Sequence, residues 1–472
     1  MSGAVASWLL AAPVALPLGA GLIVPLLRRG RSLAALAAGA GVVAAALLLL
    51  AVRDPDGAME LAVGGWSPPL GIRWRADLLA ITFLLSTAVI ALTVALFAAL
   101  HLPRAEPALA GRLWAPLLFL WSALNALYLS ADVFNLYVTL ELLTLAAVML
   151  VTLEGERQAL DGAMRYLLVA LAGSTVYLLG VALFYHATGT LDLTLAAGAV
   201  PGAALALMTV GLMAKGALFP LHGWLPPAHA AAPAPGSALL SAVVVKSAFY
   251  ILLRLWLEAA PDEHAGRMLL AACGTGAVLW GSLLALTQKR LKLLVAYSTV
   301  AQLGYLLLVF PLAVGSWSGP AYAGAVWLAV SHGLAKAAMF LAAGTVMHAL
   351  GHDRIAELRG LAHHAPVTML TLALAGVTLM GLPPSGGFVA KWLLLSAAFG
   401  TGQWFWALVL LAGGLLAAVY TFRVIGAGFG EAALARVPRR APQWLAFALA
   451  TAALLAGVVA ELPLRQLQEA AP

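Results

Sequence analysis

Apolar residues dominate this chain in long unbroken runs, and polar residues gather in the short gaps between them. Each run reaches about 20 residues, enough to carry a helix across about 30 Å of hydrocarbon. The runs do not alternate every second residue, as the strands of a membrane barrel do. The pattern predicts an all-α polytopic membrane protein with about fourteen spans, near 4–27, 33–52, 78–101, 113–130, 134–153, 166–186, 202–222, 237–257, 268–287, 295–314, 321–349, 367–400, 405–425 and 442–461. The twelfth is too long for one straight crossing. It contains Gly381-Leu382-Pro383-Pro384-Ser385-Gly386-Gly387, which must break the helix. The seventh runs into Phe219-Pro220 and then a proline-rich connection from Leu225 to Pro235. Backbone broken at membrane depth is tolerated only where protein or a water-filled cavity surrounds it.

Composition agrees with the pattern. The chain is 63% hydrophobic and only 10% charged, which excludes a soluble globular domain. The net charge of +7 does not point to nucleic acid, because the basic residues are scattered over short loops. They concentrate in the odd-numbered loops, as at Arg28, Arg29 and Arg31 or at Lys289, Arg290 and Lys292. Those loops are therefore expected in the cytoplasm, with both termini outside and the chain in the inner, cytoplasmic membrane. The N-terminal run lacks a basic flank and reads as a retained first span, not a cleaved signal. The lone Cys273 excludes an internal disulfide and any Cys-built cluster.

The whole chain, 1–472, reads as one membrane domain. Residues 1–112 hold three spans and an extracytoplasmic cap near 53–77, turn-rich and suited to a hairpin. Residues 113–257 and 268–425 form two five-span blocks, and 442–472 hold the last span and a short tail. Lys215 stands before the break of span 7 and Lys391 after the break of span 12. A lysine beside a broken helix, twice, five spans apart, suggests inverted repeats over spans 4–8 and 9–13.

The candidate chemistry lies in the charges that the runs enclose. Lys215, Lys246, Lys336 and Lys391 interrupt apolar sequence, and Glu141 is the one acid well inside a span. An ionisable residue at the bilayer centre costs at least about 2.5 to 3.5 kcal/mol and is by default functional. Burial lowers the proton affinity of a lysine and a nearby carboxylate raises it. A lysine whose carboxylate approaches and retreats is thus a proton switch, and Glu141 is the natural partner for such a lysine. The blander alternatives are a structural Glu141 carboxylate hydrogen-bonded to Thr or Tyr, a static Glu–Lys pair, a Lys246 bound to carbonyls at a helix break, and a Lys391 that snorkels outward. His332 and Lys336 are four residues apart and share a helix face, which suits two steps of a relay or a hydrogen-bonded packing pair. His222 and His229 flank the proline-rich connection and either shape a proton inlet or cap the break. His348 and His352, at a span end, are expected to face headgroups or solvent. Trp66, Trp224, Trp256 and Trp392 are expected to be interfacial anchors. No metal site, nucleotide fingerprint or redox cofactor site is visible, so energy must come from an ion gradient or partner subunits.

The stretch Lys215-Gly216-Ala217-Leu218-Phe219-Pro220-Leu221-His222-Gly223-Trp224-Leu225-Pro226-Pro227-Ala228-His229, with Ala232-Pro233-Ala234-Pro235 after it, resembles the antiporter-like family. So do Gly381-Leu382-Pro383-Pro384 with Gly387, Phe388 and Lys391, and the stretch from Tyr297 to Gly304. That family comprises proton-pumping membrane subunits of respiratory complex I, of membrane-bound hydrogenases and of Mrp cation/proton antiporters. Pro227 departs from it, because the family usually has Asp there. The resemblance implies fourteen core helices in inverted repeats, a Glu141–Lys215 pair, a central relay of Lys246, His332 and Lys336, and a terminal Lys391 on broken helix 12. It implies no cofactor, and partners that are other membrane subunits, protons, a cation such as sodium, and lipid. The segment from Ala231 to Lys246 looks most like the D-type subunit of Mrp antiporters. A short tail sets the chain apart from the largest complex I subunit of this type. The leading expectation is therefore a proton-translocating Mrp-type subunit. The alternatives are a pumping subunit of NADH-quinone oxidoreductase or of a membrane-bound hydrogenase, and a non-transporting membrane scaffold. By itself the chain is not read as a redox catalyst; as a subunit it fits within a translocase of the NADH:quinone oxidoreductase type.

Overall fold

The computed structural model describes residues 3–27, 29–52, 58–105, 107–259, 263–313, 317, 319–432 and 435–469. Arg28 and the first residues of the cap, 53–57, lie outside them. The molecule is all-α, and its two short strands both lie in the cap. Ten helices are long and apolar enough to cross a membrane, and shorter apolar helices fill the breaks, as in a multi-pass membrane protein. Each of the fourteen predicted spans falls on a helix or on a broken pair of helices.

The hydrogen bonds between loops sort by parity. Arg31 reaches the Gly111 carbonyl (3.1 Å), Arg439 the Leu100 carbonyl (3.1 Å) and Arg290 the Asp353 carboxylate (2.8 Å), all between odd-numbered loops or the helix ends beside them. Arg73 pairs with Asp192 (2.6 Å), Gln403 donates to the Pro311 carbonyl (2.8 Å) and Trp327 to the Ala456 carbonyl (3.1 Å), all on the even side. Two faces of alternating parity are what repeated crossing produces.

The cap is the expected hairpin. Strands Met59–Ala62 and Arg73–Ala76 pair antiparallel, with Glu60 opposite Arg75. A bridge from Trp74 to Ser130 seats it on the even face.

Both breaks are seen. Helix Gly202–Lys215 stops at Lys215, the chain passes Ala217 at φ 52°, and helix Leu225–Ala231 follows. Helix Pro366–Met380 stops at Gly381, whose φ of 79° suits glycine. Helix Gly386–Gly400 then starts on Ser385, whose hydroxyl accepts from the Phe388 amide at 3.1 Å. The two halves touch at Gly387, where a Cβ would lie 2.0 Å from the Thr378 carbonyl oxygen. The order of elements repeats: a helix of 32 residues, Arg157–Thr188, precedes the first break and one of 31, Pro320–Leu350, precedes the second.

Two tryptophans correct the expectation of interfacial anchors. Trp224 is 2% exposed, stacks on Tyr166 and donates to the Ala214 carbonyl (2.9 Å), closing the end of the broken helix. Trp256 is equally buried and donates to Thr209. An indole N–H needs a partner when buried, and a helix break supplies carbonyls that sequence alone does not show. Trp66 and Trp392 are exposed.

Gly387→Val is expected to destabilise the protein by about 1–3 kcal/mol or more, because backbone blocks the new side chain. Thermal melting in detergent checks this, with Gly426→Val, helical and in open space, as the comparison.

Candidate functional site

All four lysines are buried, none more than 6% exposed. Lys215, the last residue of helix Gly202–Lys215, points its amine at helix Val133–Val151. Its Nζ lies 2.7 Å from Glu141 Oε1 and 2.9 Å from Thr144 Oγ1. Ser174 donates to the same Glu141 oxygen. Glu141 and Lys215 are therefore in contact. The carboxylate sits at the edge of the bundle, its side chain 22% exposed, beside the exposed apolar face of Val138, Leu142 and Leu145.

Lys246 begins the second part of the row. A π-helical turn, Leu240–Val244, precedes it, and the Ser241 carbonyl of that turn accepts from Lys246 Nζ at 2.7 Å. Such turns shift carbonyls out of the regular ladder and frequently mark functional sites. The Ser241 hydroxyl in turn bonds Thr299 at 2.8 Å.

Thr299 belongs to helix Leu291–Leu307, which connects the remaining lysines. Its Val295 carbonyl accepts from Thr299 (3.0 Å) and from Lys336 Nζ (3.0 Å), and Ser298 also bonds Lys336. One turn on, Gln302 Nε2 donates to the Leu379 carbonyl (3.0 Å), which also accepts from Lys391 Nζ (2.7 Å). Lys391 thus reaches back across the break to the open end of helix Pro366–Met380, where unpaired carbonyls and the helix dipole favour a cation. Its amine also lies 4.3 Å from the centre of the Tyr305 ring. It does not snorkel.

His332 is 1% exposed, and neither ring nitrogen bonds another described residue. The His332–Lys336 pair is therefore not a hydrogen-bonded packing pair. His332 feels the charges of Lys246, Lys336 and Lys391. His229, fully buried, stacks on Phe340 (4.6 Å between centroids) and feels Lys336, Lys292 and Lys246. It does not cap the break, since both its ring nitrogens are unpaired among the described residues. His222 stacks on Phe219 outside this row.

A cavity of about 300 Å³ opens on the odd-loop face, lined by His101, Glu154, Lys292, His348 and Arg436 among others. His348 lines this opening and packs edge-on against buried His101, 5.3 Å between centroids. From the cavity Lys292 Nζ donates to the Ala232 carbonyl (2.7 Å), which also accepts from Ser237, and Ser237 bonds the carbonyl of His229. Ser174, Thr144 and His101 are site residues that the sequence did not single out, while Ser298, Thr299 and Gln302 stood out only as part of a family-like stretch and Lys292 only as a loop charge. Ser298, Thr299 and Gln302 did leave a signal, a polar stripe at helical spacing inside an apolar span.

The chain belongs to the family described as NADH:quinone oxidoreductase/Mrp antiporter, TM, whose model matches residues 130–417. Two relatives illustrate its range. The NADH-quinone oxidoreductase subunit N of Desulforudis audaxviator is 37% identical over 407 residues, 81% of this chain and 79% of that one. The D subunit of the Na(+)/H(+) antiporter of Alkalihalophilus pseudofirmus is 30% identical over 416 residues, 86% of this chain and 83% of that one. A chain of the Mrp complex from Dietzia sp. DQ12-45-1b superposes with a TM-score of 0.91 at 25% identity, covering 100% of this chain and 97% of that one.

Removing one partner of a buried ion pair costs about 3–5 kcal/mol, since the other charge is left unpaired. Glu141→Ala is expected to destabilise by the lower part of that range, because the carboxylate is partly exposed. Adding Lys215→Ala to it is expected to restore part of the loss. Melting of the two single variants and the double variant in detergent checks this.

Proposed function

We propose that this protein is the proton-translocating membrane subunit of a multi-subunit complex, of the Mrp cation/proton antiporter type. The observation that carries the proposal is the row of Glu141–Lys215, Lys246, Lys336 and Lys391, bridged across the second block by the polar face of helix Leu291–Leu307. The similarity to the D subunit of a Na(+)/H(+) antiporter and to a chain of an Mrp complex supports the type. The 37% identity to a quinone oxidoreductase subunit N favours a second reading, a pump powered by electron transfer through partner subunits.

The arrangement suits stepwise transfer. Lys246, Lys336 and Lys391 donate to carbonyls and hydroxyls, which do not neutralise an ammonium. Each unpaired buried charge costs several kcal/mol. The row therefore holds fewer protons than it has sites, and a free site can receive one. Protons enter from the odd-loop face, read as cytoplasmic, through the His101–His348 cavity and pass Lys292 and His229. They reach Lys246 and Lys336, then Lys391 at the second break, and leave on the even face. Glu141 sets the direction. While its carboxylate holds Lys215, a positive charge stays at the near end; when it withdraws, Lys215 gives up its proton. A partner subunit packed on the exposed apolar face beside Glu141 is placed to move it. The scaffold alternative has no use for a row whose amines lack carboxylates.

Purification from the native membrane followed by mass spectrometry tests the type. Small hydrophobic antiporter subunits are expected; flavin and iron–sulfur subunits would place the chain in a respiratory pump. For the transport reading, Glu141→Ala and Lys215→Ala are each expected to lower proton flux by at least about tenfold in vesicles holding the assembled complex. Unchanged flux in both would contradict the switch.

A further inference from the structure

Lys246, Tyr250, Arg254 and Glu258 recur at every fourth residue, so they share one face of helix Val245–Ala259. The stripe runs from the central row to the even face. Its members are tied together. The Tyr250 hydroxyl donates to the Tyr128 carbonyl (2.6 Å) and accepts from Arg254 Nε and Nη2 (3.1 Å each). Arg254 Nη1 lies 3.4 Å from Glu258, and both terminal guanidinium nitrogens fork onto the Asp77 carboxylate. Arg75 adds a second guanidinium, 3.7 Å from Asp77 and 3.9 Å from Glu258. The rings of Phe83 and Tyr128 close around Tyr250, both 5.1 Å away between centroids. A cavity beside the stripe, between Tyr128, Tyr250, Arg254 and Glu258, measures about 10 Å³, room for about one water.

A polar ladder from Lys246 to the surface looks like a second proton outlet. The order of charges argues the reverse. A guanidinium does not give up its proton, so Arg254 cannot relay one. It stands between Lys246 and Glu258 as a fixed cation in a narrow, nearly dry passage. Its donors are committed to Asp77, Glu258 and Tyr250, and it has no acceptor, so the chain of hydrogen bonds that could carry a proton is broken at this point. The two carboxylates prevent it from swinging aside. Burial works to raise the pKa of Asp77, but the Arg254 guanidinium outweighs it and holds the carboxyl below its ordinary value. Asp77 thus stays charged.

We propose that Arg254, clamped by Asp77 and Glu258, is a plug that closes the even-face end of the Lys246 path, because it cannot pass a proton on. A proton on Lys246 then leaves only sideways, toward Lys336 and Lys391. This inference rests on the transport reading above. Arg254 acts as a barrier and a positioning residue, and takes no part in transfer itself.

The test uses the assembled complex in proteoliposomes, with passive proton leak and driven proton transport read separately by a trapped pH dye. Arg254→Met is expected to raise the passive leak by more than about tenfold, with subunit composition unchanged. Asp77→Asn, which frees the guanidinium without removing it, is expected to raise the leak less. Adding Lys246→Met to Arg254→Met is expected to return the leak to the wild-type level, because the opened path starts at Lys246. A tight membrane in both single variants, with driven transport present in the wild type, would overturn the plug. So would a leak that survives Lys246→Met, since it would come from loosened packing. Wild-type complex without driven transport would instead overturn the transport reading.

Discussion

Hydrocarbon offers no hydrogen-bond partner, so every polar group within the membrane must find its partner in the protein. The site follows from that constraint. Four amines lie inside the bundle and one carboxylate at its edge, and each amine is held by a carboxylate, hydroxyl or carbonyl of the protein. Two of the accepting carbonyls are available because the helices are irregular where the amines reach them. The π-turn at Leu240–Val244 offers Ser241, and the end of helix Pro366–Met380 offers Leu379. Irregular backbone and buried charge stabilise one another, and neither is tolerable alone.

On the reading proposed above, the same constraint accounts for conduction along the row. Glu141–Lys215 is a true ion pair, whereas the three amines beyond it meet only neutral acceptors. Neutral acceptors hold either form of an amine, so the proton is free to be absent. The opposite case is Arg254, whose charge is permanent and doubly paired. In the proposed scheme, titratable cations with neutral partners form the path, and the cation that cannot release its proton closes it.

Much of this was legible in the sequence. Unbroken apolar runs located the helices, because hydrocarbon thickness sets their length, and prolines located both breaks. Charges inside the runs named Glu141 and the four lysines, since nothing else in a membrane span is so costly. Partners were not legible. The Glu141–Lys215 pair was implied by the family resemblance alone, and that Lys391 turns back to Leu379 depends on how the chain folds at the break. Trp224 and Trp256 look like interfacial anchors until the carbonyl and hydroxyl that hold them inside are seen. His101, far from the other site residues in sequence, joins the site only through the packing of the odd-loop face. Helix Leu291–Leu307 was undervalued because its polar face carries no charge in the middle.

The central claim is that protons cross the middle of the row on Lys336, with Lys391 beyond it. The most direct measurement replaces Lys336 with Met, close in shape and unable to bind a proton, and follows proton flux in vesicles carrying the assembled complex. The account expects flux to fall to the level of vesicles without the complex, while subunit composition and melting temperature stay as in the wild type. Wild-type flux through Lys336→Met would contradict it.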